Sequence, residues 1–188
     1  ELTEAITGGS NVVIVGKAGA GKTVALAHLA SLAANLKVQL DAGGSKVDAV
    51  PYFYHVADLQ LSHDATKDPL TIIINAASER APVFDLGRLP GFIQQTFKSG
   101  SALVLIDGFD ELEPQSQRHV IEWFKALTQA YPNIRIVTTG CANQLNGLVG
   151  LGFSPLALMS WDARRTAQFI EHWGQLWSQT VALEAWSQ

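Results

Sequence analysis

Gly16-Lys17-Ala18-Gly19-Ala20-Gly21-Lys22-Thr23 is the stretch that decides the fold. An apolar run, Val12-Val13-Ile14-Val15, leads into it, and a long Ala/Leu-rich segment leads out. Strand, glycine loop and helix in that order, with the spacing G-x-x-x-x-G-K-[ST], make a phosphate-binding loop. The glycines let the backbone curl until several N–H groups face one concavity, which suits an anion. The helix that starts there adds the positive end of its dipole. Gly16, Ala18, Gly19, Ala20, Gly21, Lys22, Thr23 and Val24 are therefore the candidate nucleotide-binding residues. Lys22 can reach the outer phosphates, and the Thr23 hydroxyl can hold Mg²⁺. ATP is the expected ligand and GTP the alternative, since nothing in residues 1–10 reads the base.

A second stretch completes the site. Ala102-Leu103-Val104-Leu105-Ile106 runs straight into Asp107, and Asp110 and Glu111 follow. A buried strand that ends in an acid delivers it to the carboxyl edge of the sheet, where open α/β sheets bind ligands. Asp107 is the candidate metal ligand beside Thr23. Asp110 and Glu111 are the candidates for orienting or deprotonating the attacking water, with Lys22 as the catalytic cation.

Working outward, strands are expected at residues 11–16, 51–56, 102–107, 134–139 and 153–159. Helices are expected at residues 21–36, 69–80, 88–99 and 114–130, and from Asp162 to about Trp177. The apolar stripes are Leu26, Leu29, Leu32, Ala33 and Leu36 on the first helix, and Leu89, Phe92, Ile93 and Phe97 on the third. Residues 41–50 and 140–152 read as loops. Strands alternating with helices predict an α/β fold, three layers around a parallel sheet of about five strands. The expected organisation is a core over residues 1–158 and the start of a helical subdomain over residues 159–188, cut from a longer protein.

Composition narrows the function. Hydrophobic residues are 47% of the chain and charged ones 16%, which is a folded core rather than a disordered tail. Net charge is −4 and the Lys and Arg residues are scattered, so no nucleic-acid partner is expected. A single cysteine, Cys141, excludes an internal disulfide, and no Cys or His pair has zinc spacing. No apolar run reaches the ~18 residues of a membrane span, and the expected home is the cytoplasm.

Leu105-Ile106-Asp107-Gly108-Phe109-Asp110-Glu111-Leu112 resembles the second nucleotide motif of the NACHT family, signal-transduction ATPases of the STAND class. The resemblance covers Val12 to about Trp177. It implies that Asp107 serves the metal and that Asp110, with Glu111 beside it, serves the water. It implies the strand order 5-1-4-3-2, with residues 134–139 between the two motif strands, so that Thr138 or Thr139 meets the γ-phosphate or the water. Thr139 is thus a further candidate for nucleotide contact. It also implies an oligomerising switch flanked by other domains, in immune-like or stress signalling. The chain departs from the family pattern at Gly140, where an arginine usually follows the threonines. That predicts slow hydrolysis or an arginine from elsewhere, since Arg135 lies inside the strand. Two other readings stay open: a nucleotide-binding scaffold without turnover, and a small-molecule kinase.

Other features have quieter readings. Phe169, Trp173 and Trp177 share a helical face, for core or interdomain packing or, alternatively, as an adenine platform. Arg164 and Arg165 are solvated or phosphate-sensing. Cys141 is a small packed residue or a reactive thiol, and His55 and His63 are structural.

Overall fold

The computed structural model describes residues 2–61, 66–143 and 145–184, with side chains as far as residue 179. His63, and Trp186, which the sequence offers as an interface residue, lie outside the described residues. In chain order the elements are α1 (Leu2–Thr7), β1 (Val12–Val15), α2 (Lys22–Ala34), β2 (Gln39–Asp41), β3 (Lys46–Asp48), β4 (Val50–His55), α3 (Pro69–Arg80) and α4 (Leu89–Ser99). They continue with β5 (Ala102–Asp107), α5 (Pro114–Ala130), β6 (Arg135–Gly140), α6 (Asn146–Gly150), β7 (Ser154–Ala157) and α7 (Ala163–Glu184). The chain divides into two compact units, Glu1–Leu158 and Met159–Gln188.

The first unit is built on five parallel strands in the order β4-β5-β6-β1-β7. Counted along the chain, that is 5-1-4-3-2 as expected. β6 lies between β1 and β5, pairing Val12 with Val137 on one side and Leu105 with Val137 on the other. Central strands buried on both faces need apolar residues at every position, and β5 is buried from Ala102 to Asp107. Alternate side chains then feed two cores. Val104 and Ile106 pack with Ile73, Phe97, Trp123 and Phe124 from the helices α3, α4 and α5. Leu103 and Leu105 pack with Ile6, Leu26 and Leu29 from α1 and α2. Two helical layers thus sandwich one sheet.

Buried polar groups in the first core are paired. The Trp123 indole N–H donates to the Pro69 carbonyl at 2.8 Å. The Tyr52 and Thr96 hydroxyls meet at 2.5 Å, and burial pushes the Tyr52 phenol up to about 12.

Several expectations need correction. Residues 41–50 are not one loop: β2 and β3 pair antiparallel across an Asp41–Ser45 turn, and β4 begins at Val50. Residues 140–152 hold the short helix α6. Phe92 is half-exposed, and Thr96 takes the buried position on α4 instead. Leu36 lies past the end of α2 and is exposed. Its φ is 56°, with Leu36 N–H on Ala33 O and Lys37 N–H on Leu32 O, a Schellman ending in which leucine fills the position glycine usually takes.

The second unit is α7 and its lead-in. Asp162 Oδ1 accepts the Arg165 N–H at 2.7 Å, capping the helix as the sequence predicts. The helix continues to Glu184, beyond the expected end. Trp173 and Trp177 stack at 4.9 Å and both are half-exposed, as is Phe169. Arg164 and Arg165 are exposed.

Candidate functional site

The glycine loop leaves β1 and enters α2 through two left-handed residues, Gly19 at φ 75° and Gly21 at φ 91°. Side chains rarely tolerate that backbone. Gly16 is needed for a different reason: a Cβ there would lie 2.9 Å from the Ala20 Cβ and hold the loop open. Among the described residues no side chain caps α2 at Gly21, which leaves the first amides of the helix for a ligand.

Lys22 is 9% exposed and spends its charge locally. Its Nζ donates to Gly16 O at 3.0 Å and Lys17 O at 3.2 Å, and pairs with Asp110 Oδ2 at 3.0 Å. The two motifs of the sequence are thus joined directly, a cation from the loop against an acid from the turn after β5. A phosphate entering this loop would compete with Asp110 for the lysine.

Asp107 ends β5 and is 7% exposed. Among the described residues no donor meets its carboxylate. Gly108 follows at φ 81°, and Phe109–Glu111 form a 3-10 turn. The β6 threonines fasten this junction. Thr138 Oγ1 donates to Ile106 O at 2.9 Å, and Thr139 Oγ1 accepts the Gly108 N–H at 3.0 Å.

One pocket of about 630 Å³ gathers nearly every candidate residue. Its wall contains Gly16, Ala18, Gly19, Ala20, Gly21, Lys22, Thr23 and Val24 from the loop side. Asp107, Asp110 and Glu111 come from the β5 side. The volume falls within the usual range of small-molecule sites. Thr139 is fully buried behind the wall rather than in it, with its hydroxyl turned to the β5 backbone. Lys17, to which the sequence assigns no role, and Cys141, expected as a small packed residue or a reactive thiol, also line the pocket.

The pocket suits a hard divalent cation only in part-protein form. Among the described residues no group of three or more His, Cys, Asp or Glu side chains could cage a metal. Asp107 and Thr23 do offer oxygen donors in the same pocket, and Mg²⁺ commonly takes one or two protein ligands with phosphate and water for the rest.

Gly140 is not merely a missing arginine. A Cβ there would come 2.9 Å from Val13 Cγ2 and 3.3 Å from Leu145 Cδ2, so neighbouring side chains occupy the space. Arg135 lies at the opposite end of β6, as expected of a residue that cannot substitute. His55, expected from the sequence to be structural only, stands beside the site. It ends β4, in register with Asp107, and its Nε2 is 3.5 Å from Glu111 Oε2. The signal was its place one residue before the end of the strand expected at residues 51–56, beside an acid-tipped one.

Strand order 5-1-4-3-2, with the glycine loop leaving the first strand and the acid leaving the third, defines a P-loop NTPase. The NACHT domain family model matches residues 10–175, and the chain belongs to the NACHT family. Among solved structures, the chain is similar to the Aeropyrum pernix ORC1 protein in complex with DNA. Identity is 18%, the TM-score is 0.51, and the match covers 93% of this chain and 47% of that one. At that identity the likeness concerns the fold, and the chain spans about half the length of its neighbour. A comparison with curated proteins finds no match.

That neighbour overturns one expectation. A chain of this fold is solved with DNA bound, so the exclusion of nucleic acid drawn from scattered Lys and Arg is withdrawn. Net charge was the wrong observable. Contacts to phosphate need only local cations or helix amides, whatever the sign of the whole domain. Among the described residues no helix is long and apolar enough to cross a membrane.

Proposed function

We propose that this domain binds ATP with Mg²⁺ in the Gly16–Thr23 pocket, hydrolyses it slowly, and acts as a conformational and oligomerisation switch within a longer cytoplasmic signalling protein. GTP is the less favoured nucleotide. The observation that carries the reading is the convergence of the loop, Asp107, Asp110 and Glu111 on one pocket. In this reading the loop amides and Lys22 bind the β- and γ-phosphates. Thr23 and Asp107 would hold Mg²⁺, which neutralises charge on the phosphates when bound. Asp110 and Glu111 orient the water and take its proton.

The switch is argued from the Lys22–Asp110 pair. Lys22 cannot grip phosphate and Asp110 fully at once. Nucleotide therefore draws the lysine off and releases the acid, and the turn after β5 registers the occupancy of the loop. Family membership supports the regulatory reading.

A hydrolysis-inert scaffold is the second reading, favoured by the filled space at Gly140. Single-turnover phosphate release separates the two. The proposal expects measurable release in the wild type and roughly a hundredfold slower release in Asp110→Asn. Equal rates in both proteins would remove Asp110 from the chemistry, and no release in either would leave the scaffold.

A further inference from the structure

The geometry points to His55 as a positioning residue that acts through Glu111. The inference rests on the hydrolytic reading above and deepens it. His55 Nδ1 accepts the N–H of Ala57 at 3.2 Å. A ring nitrogen that accepts carries no proton, so the neutral imidazole keeps its proton on Nε2. That nitrogen faces Glu111 Oε2 across 3.5 Å, a small torsion short of a hydrogen bond. The tautomer that presents a donor to the carboxylate is thus fixed by the backbone of β4's own exit.

The two acids of the turn are held differently. Asp110 is pinned by Lys22. Glu111 has a side chain 70% exposed, and without a fixed neighbour it would spread over many rotamers. The His55 ring supplies that neighbour and also props the turn from below. A Cβ on Gly108 would lie 2.2 Å from His55 Nε2 and 2.7 Å from its Cε1, so the ring rests directly on the Gly108 backbone. One side chain therefore touches both the residue after Asp107 and the last acid of the cluster. His55 sets where Glu111 stands relative to the pocket and does not itself reach the phosphates. It is absent from the pocket wall.

The test is a mutant cycle read by single-turnover hydrolysis and by MgATP binding. His55→Ala is expected to slow phosphate release roughly tenfold, a usual size for the loss of an orienting partner. It should leave the MgATP dissociation constant within about twofold. His55→Gln keeps an N–H donor at nearly the same reach and should retain most of the rate, which also guards against misfolding of the alanine variant. On a Glu111→Gln background, His55→Ala should cost nothing more. An unchanged rate in His55→Ala, an equal loss of binding, or losses that multiply with Glu111→Gln would each overturn the assignment. A wild type that released no phosphate would sink the hydrolytic reading alone. The His55–Glu111 link is then read from the imidazole ¹⁵N resonances. Glu111→Gln should move the Nε2 signal of His55, and an unmoved signal would overturn the link.

Discussion

Two buried cations, Lys22 and Arg135, lie at opposite ends of the same parallel sheet and lead different lives. Lys22 sits at the carboxyl end, in the wall of an open pocket. Its partners are two loop carbonyls and the Asp110 carboxylate, which an incoming phosphate could replace. Arg135 sits at the amino end of β6, and its guanidinium donates to carbonyls of Ile134 at 2.7 Å and Asp41 at 2.9 Å. Burial pulls its pKa below the ordinary value, and the charge of Asp41 pulls it partly back. Gly9 leaves room for the guanidinium, since a Cβ there would come 3.2 Å from Nη2. Even so, among the described residues Arg135 Nε is buried without an acceptor. The contrast teaches that burial of a cation does not mark a site. What marks it is an exchangeable partner facing an open pocket, and the hydrogen bonds of Arg135 go to fixed backbone carbonyls.

The largest effect expected from this contrast is on ligand binding. Lys22→Met should weaken MgATP binding by roughly a hundredfold or more, measured by calorimetry, because a desolvated cation facing phosphate is lost. Its melting temperature should fall as well, because Gly16 O, Lys17 O and the Asp110 carboxylate lose their charged partner. Arg135→Met should cost stability alone: it falls by about 2 kcal/mol in urea melts as charged hydrogen bonds to the Pro132, Ile134 and Asp41 carbonyls are lost, while nucleotide affinity of the folded protein is unchanged. If both variants lost affinity equally, the distinction between the two cations would collapse.

Gly140→Arg sharpens the comparison at the pocket end. The family pattern suggests that it would restore a catalytic charge. The crowding by Val13 and Leu145 predicts instead a loss of about 1–2 kcal/mol of stability and no gain in phosphate release. The smallest effect belongs to a site away from both cations. Leu36→Gly should raise stability by about 0.5–1 kcal/mol, since it places glycine in a left-handed helix ending that leucine now strains.

Local signals made much of this legible. The glycine loop, the acid after β5, and helices α3 and α5 are each encoded within one continuous stretch, where periodicity and turn chemistry act at short range. What escaped depends on partners far along the chain. Residues 39–48 carry two three-residue strands whose polar composition reads as loop, and only their mutual pairing makes them a hairpin. Thr139 looked like a ligand contact because its position was inferred from strand order. Its hydroxyl direction depends on Gly108, 31 residues away. His55 was indistinct because its meaning comes from the β4–β5 register, which brings it beside Asp107.

The central claim is that the glycine loop and Asp107 together grip a triphosphate and its metal. ATP titrated into the wild type and into Asp107→Asn, each with and without Mg²⁺, tests it most directly. The account predicts that Mg²⁺ tightens binding to the wild type and that this gain disappears in Asp107→Asn, with metal-free binding little changed. A full Mg²⁺ gain in Asp107→Asn would contradict it.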